Sequence, residues 1–503
     1  VLSRLVALER EQIGLFKALG YGNGAIAGHY IKFVLGVAVF GIAVGSVAGT
    51  WLGVYVTGIF GEFYQFPFLV FAESADVYLL GAALSLAAAI AGAFRAIREI
   101  VALPPAVAMQ PAAPPRYGHI LPGWLSLDRI LSQPMMMTLR GLGRRPLRSI
   151  LTATGIALAT AILIVSLFTA DAIEQLVDVT YFMADRQDAS IGFVQKEPAG
   201  IVMQVARLPG VLAAEPIREV PARIRSGNVE RRVSISGRTR GADLSRIIDT
   251  DLQPVVLPET GLAISAYLAG ILGVNVGDTV ELDLLEGQRR TVTVPVAALV
   301  EDYFGIRAVM DASALARLMR EAPSTNGANI SLDASRTEDL YAAIKAMPVA
   351  AGLALQDTTL ANFRRSLAIT ITTMAGIYTG LAAIIAFGIV YNSTRISLSE
   401  RARELASLRV LGFTRWEAMR ILLLELVILT LVAQPPGWLV GFGLAWIMKT
   451  RLAGELMRVP MIMQNLTYAI ASAIIIAAAV ASALVVARRV AGLDLVAVLK
   501  TRD

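Results

Sequence analysis

The chain of 503 residues has no cysteine, two histidines and only 17% charged residues. Without cysteine there are no disulfides, thiolate metal sites or cysteine nucleophiles. His29 and His119 alone are poor material for a histidine metal centre or a catalytic triad, so neither a metal site nor a catalytic residue is predicted. A Gly-x-x-x-x-Gly-Lys-Ser/Thr phosphate loop is missing as well. Gly20-Tyr21-Gly22-Asn23-Gly24 is rich in glycine, but it follows a helical pattern and lacks the lysine, so it reads as a flexible turn. Scarce charge, 56% hydrophobic residues and a mean hydropathy of +0.63 place the chain in a bilayer.

What the chain does have is long apolar runs. Its formal net charge of +6 could suit a nucleic-acid binder, but residues 171–363 carry 18 Lys/Arg against 25 Asp/Glu and the remainder 27 against 14. The excess cations flank the apolar runs, which is the positive-inside pattern, and no nucleic-acid partner is expected. Crossing a hydrocarbon core takes about 20 helical residues. Suitable runs fall at roughly 27–58, 75–97, 148–170, 366–391, 417–448 and 466–487, so six spans are predicted. Arg95, Arg98, Arg140, Arg144, Arg145, Arg148, Arg395, Arg401, Arg403, Arg409, Arg415, Arg488 and Arg489 then share one side, assigned to the cytoplasm. The loop 59–74 has no Lys or Arg, whereas 449–465 holds Lys449, Arg451 and Arg458 and is the weakest fit to the rule.

Prolines at 104, 105, 111, 114, 115, 122 and 134 mark an extended cytoplasmic linker over 111–134. After it, 135–148 alternates apolar and basic patches, as expected of a surface-lying elbow helix that feeds the next span within 135–170. Residues 171–365 lose the long apolar runs and predict a folded α+β domain on the far side of the membrane. Thr279–Leu285 and Arg290–Val294, joined by Glu286-Gly287, predict a hairpin; helices are expected near 199–208, 261–273, 312–322 and 336–347. Glu301-Asp302 and the Asp278/Glu281/Asp283 group could pass for acid–base pairs. Alternate residues along a strand face opposite ways, however, and no catalytic constellation emerges.

One segment occurs twice, about 390 residues apart, each time just before a span. Residues 11–21, EQIGLFKALGY, match 403–413, RELASLRVLGF, in polarity and bulk without a gap. The tails agree too: Arg98, Ile100 and Leu103 pair with Arg488, Val490 and Leu493. Residues 1–110 therefore correspond to about 393–500, within the second transmembrane domain 366–503. The elbow, span, domain and span of 135–392 have no first-half counterpart, so the parent polypeptide is expected to carry about 260 more residues upstream, with two more spans and a second outer domain.

The stretch Glu400-Arg401-Ala402-Arg403-Glu404-Leu405-Ala406-Ser407-Leu408-Arg409-Val410-Leu411-Gly412 resembles the signature of FtsX-like permeases, the group that holds the MacB and LolC/LolE types of ABC transporter. The Arg-Arg-Pro-Leu-Arg-Ser elbow at 144–149, Leu208-Pro209-Gly210-Val211 and Val274-x-Val276-Gly277-Asp278 support the likeness. The first copy departs from the pattern, with Gln12 where the family has Glu. The resemblance implies a multi-pass permease of the bacterial cytoplasmic membrane. Its partner would be an ABC ATPase dimer that itself binds ATP and Mg, with no cofactor in this chain. It also implies mechanotransmission to a hydrophobic, lipid-like or lipoprotein cargo, with an extracytoplasmic protein as a further partner. A regulatory permease that signals to such a partner without transport is the alternative.

The residues are consistent with docking. A coupling helix needs apolar knobs on one face and charges to fix register: Leu405, Leu408 and Leu411, with Glu404 and Arg409, in the second copy, and Ile13, Phe16 and Leu19, with Gln12 and Lys17, in the first. Gly20 and Gly412 can then take the left-handed turn that ends each helix. Gln434-Pro435-Pro436-Gly437 is expected to interrupt the 417–448 helix and to act as a hinge or a static kink. Glu425, about two turns into the same span, is expected to pair or snorkel, with Arg420 nearby. Gly41, Gly45 and Gly49 suit a close helix interface.

Overall fold

The computed structural model describes residues 10–64, 69–101, 104, 133–144, 146–400, 412, 414–452, 454–455 and 458–491. Nearly all of the expected 111–134 linker lies outside them, as do Glu404, Leu405, Leu408, Arg409 and Leu411. Helix α1 spans Arg10–Ala18, α2 Asn23–Tyr64, α3 Ala75–Val101, α4 Gln133–Arg144 and α5 Pro146–Val177. After the outer domain come α10 Gln356–Glu400, α11 Arg415–Leu452 and α12 Asn465–Ala491. Six of these helices, α2, α3, α5, α10, α11 and α12, are long and apolar enough to cross a membrane. The chain divides into two units, residues 1–160, 379–438 and 472–503, and residues 161–378 and 439–471.

In the first unit the elbow helix α4 buries Met136 and Thr138, and the Thr138 hydroxyl donates to the Ile421 carbonyl of α11. Arg148 at the start of α5 donates through Nη2 to the Ser393 carbonyl of α10 at 2.7 Å. Thr414 and Glu417 form a reciprocal capping box at the start of α11: Thr414 N donates to Glu417 Oε2 at 2.8 Å and Glu417 N to Thr414 Oγ1 at 3.3 Å. Glu425 is buried and accepts from Ser397 of α10 at 2.9 Å, while Arg420 is exposed.

Two expectations are corrected here. The Pro435-Pro436 pair does not interrupt its helix: α11 is continuous from Arg415 to Leu452. The Gln434 side chain donates to the Thr430 carbonyl at 2.9 Å, in the turn just before the prolines. The segment 261–273 is helical only from residue 266. Leu262–Ser265 is a strand buried at all four positions, so it shows no alternation from which its type could be read.

The second unit holds the outer domain. Its strands are β1 Ala189–Pro198, β2 Val211–Ser226, β3 Val229–Arg238, β4 Ile247–Ile248, β5 Pro254–Val255, β6 Leu262–Ser265, β7 Thr279–Leu284, β8 Thr291–Val300, β9 Ala308–Asp311, β10 Ser324–Leu332 and β11 Ala350–Leu355. Among them run α6 Ile201–Val205, α7 Ala266–Leu272, α8 Ala312–Met319 and α9 Thr337–Lys345. The predicted hairpin is present, with Val280 opposite Val294 and Leu282 opposite Val292.

Nine strands form one sheet in the order β11-β1-β10-β2-β3-β9-β6-β8-β7, and β7 pairs back onto β2. The strands from β2 to β7 therefore close into a barrel, which removes their free edges. Its interior is filled by residues such as Val220, Ile224, Ile235, Leu262, Ile264 and Leu282, with Leu268 of α7 and Leu315 of α8 packed against them. The other end, β11-β1-β10-β2 with α6 and α9, has the βαββαβ chain order of a split βαβ layer, and the remaining barrel strands are inserted between β2 and β10. Ile191, Phe193, Val205, Ile330, Leu340 and Ile344 form its separate core. The 16 residues of β2 serve both layers, residues 211–217 pairing with β10 and 222–225 with β7.

Candidate functional site

Two places draw together the residues singled out above, the turns at Gly20 and Gly412 and the junction between the spans and the outer domain. At the first, α1 ends in a Schellman motif. The Tyr21 amide donates to the Phe16 carbonyl, and the Gly20 amide to that of Lys17, both at 3.0 Å. Gly20 has φ of +95°, which an L side chain adopts only with strain, and the Phe16 and Tyr21 rings meet edge to face at 5.6 Å across the turn. Lys17 in the last turn offsets the exposed carbonyl end of the helix dipole. Gly412 has φ of +96°, the same left-handed conformation as Gly20.

Gln12, Phe16 and Leu19 are exposed, whereas Ile13 is 1% exposed. The exposed apolar face of α1 is therefore Leu15, Phe16 and Leu19, with Ile13 turned inward. Gly437, grouped with Pro435 and Pro436 as a hinge, is buried: a Cβ there would stand 2.8 Å from the Thr160 Cβ and 3.0 Å from the Ala157 carbonyl of α5. Pro435 and Pro436 are exposed.

The second place is the segment 301–307 between β8 and β9. Tyr303 is buried against Leu176 and Val179, at and just beyond the end of α5, with Phe304 and Phe363 beside it. The Phe304 and Phe363 rings meet edge to face at 5.5 Å, which brings α10 to the same point. The π-helical turn 178–184 that continues α5 is closed by Gln356, whose amide donates to the Tyr181 and Asp185 carbonyls at 2.9 and 2.8 Å.

The loop between α11 and α12 completes the junction. Arg458 is buried, donates from Nε to the Asp302 carbonyl at 2.8 Å and also through Nη2, and lies over the Tyr267 ring at 4.8 Å. Its backbone amide donates to the Tyr303 carbonyl at 2.9 Å. On the same loop Glu455 pairs with Arg231 of β3 at 2.9 Å. Asp302 itself binds Arg307 Nε at 2.7 Å and accepts from the Phe304 amide at 3.1 Å. Arg307 and Arg238 share Asp185 at 3.6 and 3.8 Å.

The electrostatics follow from burial. Burial and the neighbouring Arg307 hold Arg238 down at about 10. Burial lifts Tyr303 to about 12, with Glu301 adding to it. Glu301 is raised by burial and by Asp302, against the opposing pull of Arg458 and Lys449. Arg458 is lowered by burial, against Asp302 and Glu301. Lys449 and Arg458, two of the three cations that fit the positive-inside rule least, thus both act on Glu301 of the outer domain. Sequence reasoning noticed these residues without joining them, and the misplaced arginine was the available signal. Among the described residues no cluster of His, Cys, Asp and Glu could hold a metal ion.

Both halves of the chain match one family, described as the FtsX-like permease C-terminal domain, over residues 1–105 and 376–495. The outer domain is similar to the periplasmic region of MacB from Actinobacillus actinomycetemcomitans, at 10% identity and a TM-score of 0.27 over 37% of this chain and 98% of that one. It is also similar to the extracellular domain of the noncanonic ABC-type transporter YknZ from Gram-positive bacteria, at 10% identity and a TM-score of 0.23 over 31% of this chain and 88% of that one. No curated protein matches the chain. The family match in both halves marks residues 1–105 and 376–495 as FtsX-like permease domains, those of the multi-pass membrane subunit of an ABC transporter.

Proposed function

We propose that the chain works by mechanotransmission. Closure of a partner ATPase dimer moves the two repeated segments, the spans carry that movement as stiff helices, and the outer domain uses it to extract or export a hydrophobic, lipid-like or lipoprotein cargo. The observation that carries this reading is the junction at 301–307. There α5, α10 and the loop after α11 all contact the segment that joins two barrel strands, which supports a path from the helix ends to the barrel. Charged residues are nearly absent from the spans, which argues for moving helices in place of a wide aqueous pore.

The same picture assigns the repeated segments to the ATPase: Gln12, Phe16, Lys17 and Leu19 with the turn at Gly20, and, from the sequence match, Glu404, Leu405, Leu408, Arg409 and Leu411 with Gly412. Pro435, Pro436 and Gly437 would bend within a continuous helix. The test reconstitutes the permease with its ATPase in vesicles containing a labelled lipoprotein and follows label release together with ATP hydrolysis. Release in proportion to ATP consumed is expected. Hydrolysis without release would overturn the transport reading in favour of a regulatory permease.

A further inference from the structure

Helices α11 and α12 run antiparallel, and a groove of about 300 Å³ lies between their membrane-spanning stretches, within the first unit. Leu423, Val427 and Leu431 form one wall, and Val480, Leu484 and Ala487 the other. Thr430, the one polar residue of the lining, is buried.

The lining runs from residue 423 to 431 on α11 and from 476 to 487 on α12. At 1.5 Å per residue these stretches are about 12 and 17 Å long. A hydrocarbon core of about 30 Å gives each leaflet about 15 Å, so the groove is one leaflet deep. Beyond it the Trp438 indole donates to the Ser472 hydroxyl at 3.0 Å and ties the two helices together. A transmembrane helix would need the full thickness of the bilayer, whereas a groove of this depth suits one acyl chain.

The other end of the groove is basic. Arg420 stands one turn before Leu423, on the face of α11 that carries Leu423, Val427 and Leu431. Arg488 follows Ala487 directly and stands one turn beyond Leu484. Both arginines are exposed, and neither forms an ion pair among the described residues. Glu417, the acid one turn before Arg420, is engaged by the Thr414 amide and hydroxyl at 2.8 and 2.9 Å. By the positive-inside rule this is the cytoplasmic end of both helices, at the level of the anionic headgroups of that leaflet.

We infer that the groove between α11 and α12 is a site for an anionic phospholipid of the cytoplasmic leaflet, with one acyl chain along the groove and the phosphate held by Arg420 and Arg488. The apolar walls alone would take a chain of any lipid. Charge complementarity makes the choice, because two unpaired guanidiniums favour a headgroup of net negative charge over a zwitterionic one. Since α11 begins three residues after Gly412, the lipid anchors the helix that follows the second repeated segment. This inference needs the helices to lie in a membrane and does not rest on the transport reading.

The test uses the full-length permease in phosphatidylcholine vesicles that hold a small fraction of a probe lipid with a diazirine on its acyl chain, either phosphatidylglycerol or phosphatidylcholine. After illumination, peptide mapping by mass spectrometry is expected to find phosphatidylglycerol adducts within residues 423–431 and 476–487. One arginine near an anionic headgroup changes affinity about fivefold, so the phosphatidylcholine probe should label these residues about tenfold less or weaker still. Arg420→Gln and Arg488→Gln should each lower the phosphatidylglycerol adducts about fivefold and leave those of phosphatidylcholine unchanged. Both positions are exposed, and an unchanged elution profile checks that the variants fold. Equal labelling by the two probes, labelling insensitive to both substitutions, or no labelling because another protein segment covers the groove would overturn the proposal. No ATP is used, so this outcome stands apart from the test of transport.

Discussion

Arg458→Ala tests how firmly the spans grip the outer domain. The substitution removes two charge-assisted bonds onto the Asp302 carbonyl and the contact with the Tyr267 ring. A hydrogen bond to a charged group contributes about 1.5–3 kcal/mol and a partly buried cation–π contact about 0.5–2 kcal/mol. These do not add fully, because part of the gain offsets the cost of burying the guanidinium. A loss of about 3 kcal/mol in the local opening free energy is therefore expected, enough to speed exchange of the affected amides about a hundredfold. The amides to follow are those of residue 458, which donates to Tyr303, and Phe304, which donates to Asp302. Hydrogen exchange by mass spectrometry in nanodiscs reads both, with peptides of the split βαβ layer as the internal control. Arg458→Lys keeps the charge but loses the fork and should fall between. Unchanged exchange around 301–307 and 458 in the alanine variant would refute the clamp.

Two further predictions concern the same architecture. Because burial raises Tyr303 from its ordinary 10.0 to about 12, its contribution to stability is complete below pH 10 and is lost as pH rises through about 12. Tyr303→Phe should flatten the alkaline melting profile over that window, and a wild-type slope there would contradict the assignment. Gly437→Val forces a side chain against Thr160 and the Ala157 carbonyl, and should cost about 1–3 kcal/mol or more, seen as a lower Tm in detergent. Thr160→Ala in the same chain should recover part of that loss, and failure to recover any would argue against this contact as the cause.

The membrane half was legible because six apolar runs of sufficient length leave little choice of structure, and because a duplicated segment is visible without any knowledge of the fold. The 279–294 hairpin was legible for a similar local reason, two alternating strands joined by Glu286-Gly287. Barrel closure was not. It depends on β2 pairing with β7, far away in sequence, and local alternation carries no information about which distant strand will pair. The strand Leu262–Ser265 was absorbed into the helix after it because burial on both faces erases the period of two. The proline pair was read as a break because propensity penalises it, yet the helix runs on through it, packed against α5 at Gly437. At the candidate site the glycines that end the repeated segments could be found from sequence, whereas the inward turn of Ile13 and the grip of Arg458 on Asp302 exist only once the chain is folded.

The central claim is that two equivalent segments receive the movement of one ATPase dimer. The most direct measurement purifies the full-length permease with its ATPase and compares ATPase binding and ATP turnover in wild type, Phe16→Asp and Leu408→Asp. Phe16 is 46% exposed on α1, so a carboxylate there should leave folding intact while placing charge in the docking face. The account predicts that each substitution weakens binding and that the two together release the ATPase from a permease that stays folded. Unchanged binding and turnover in both variants would contradict it.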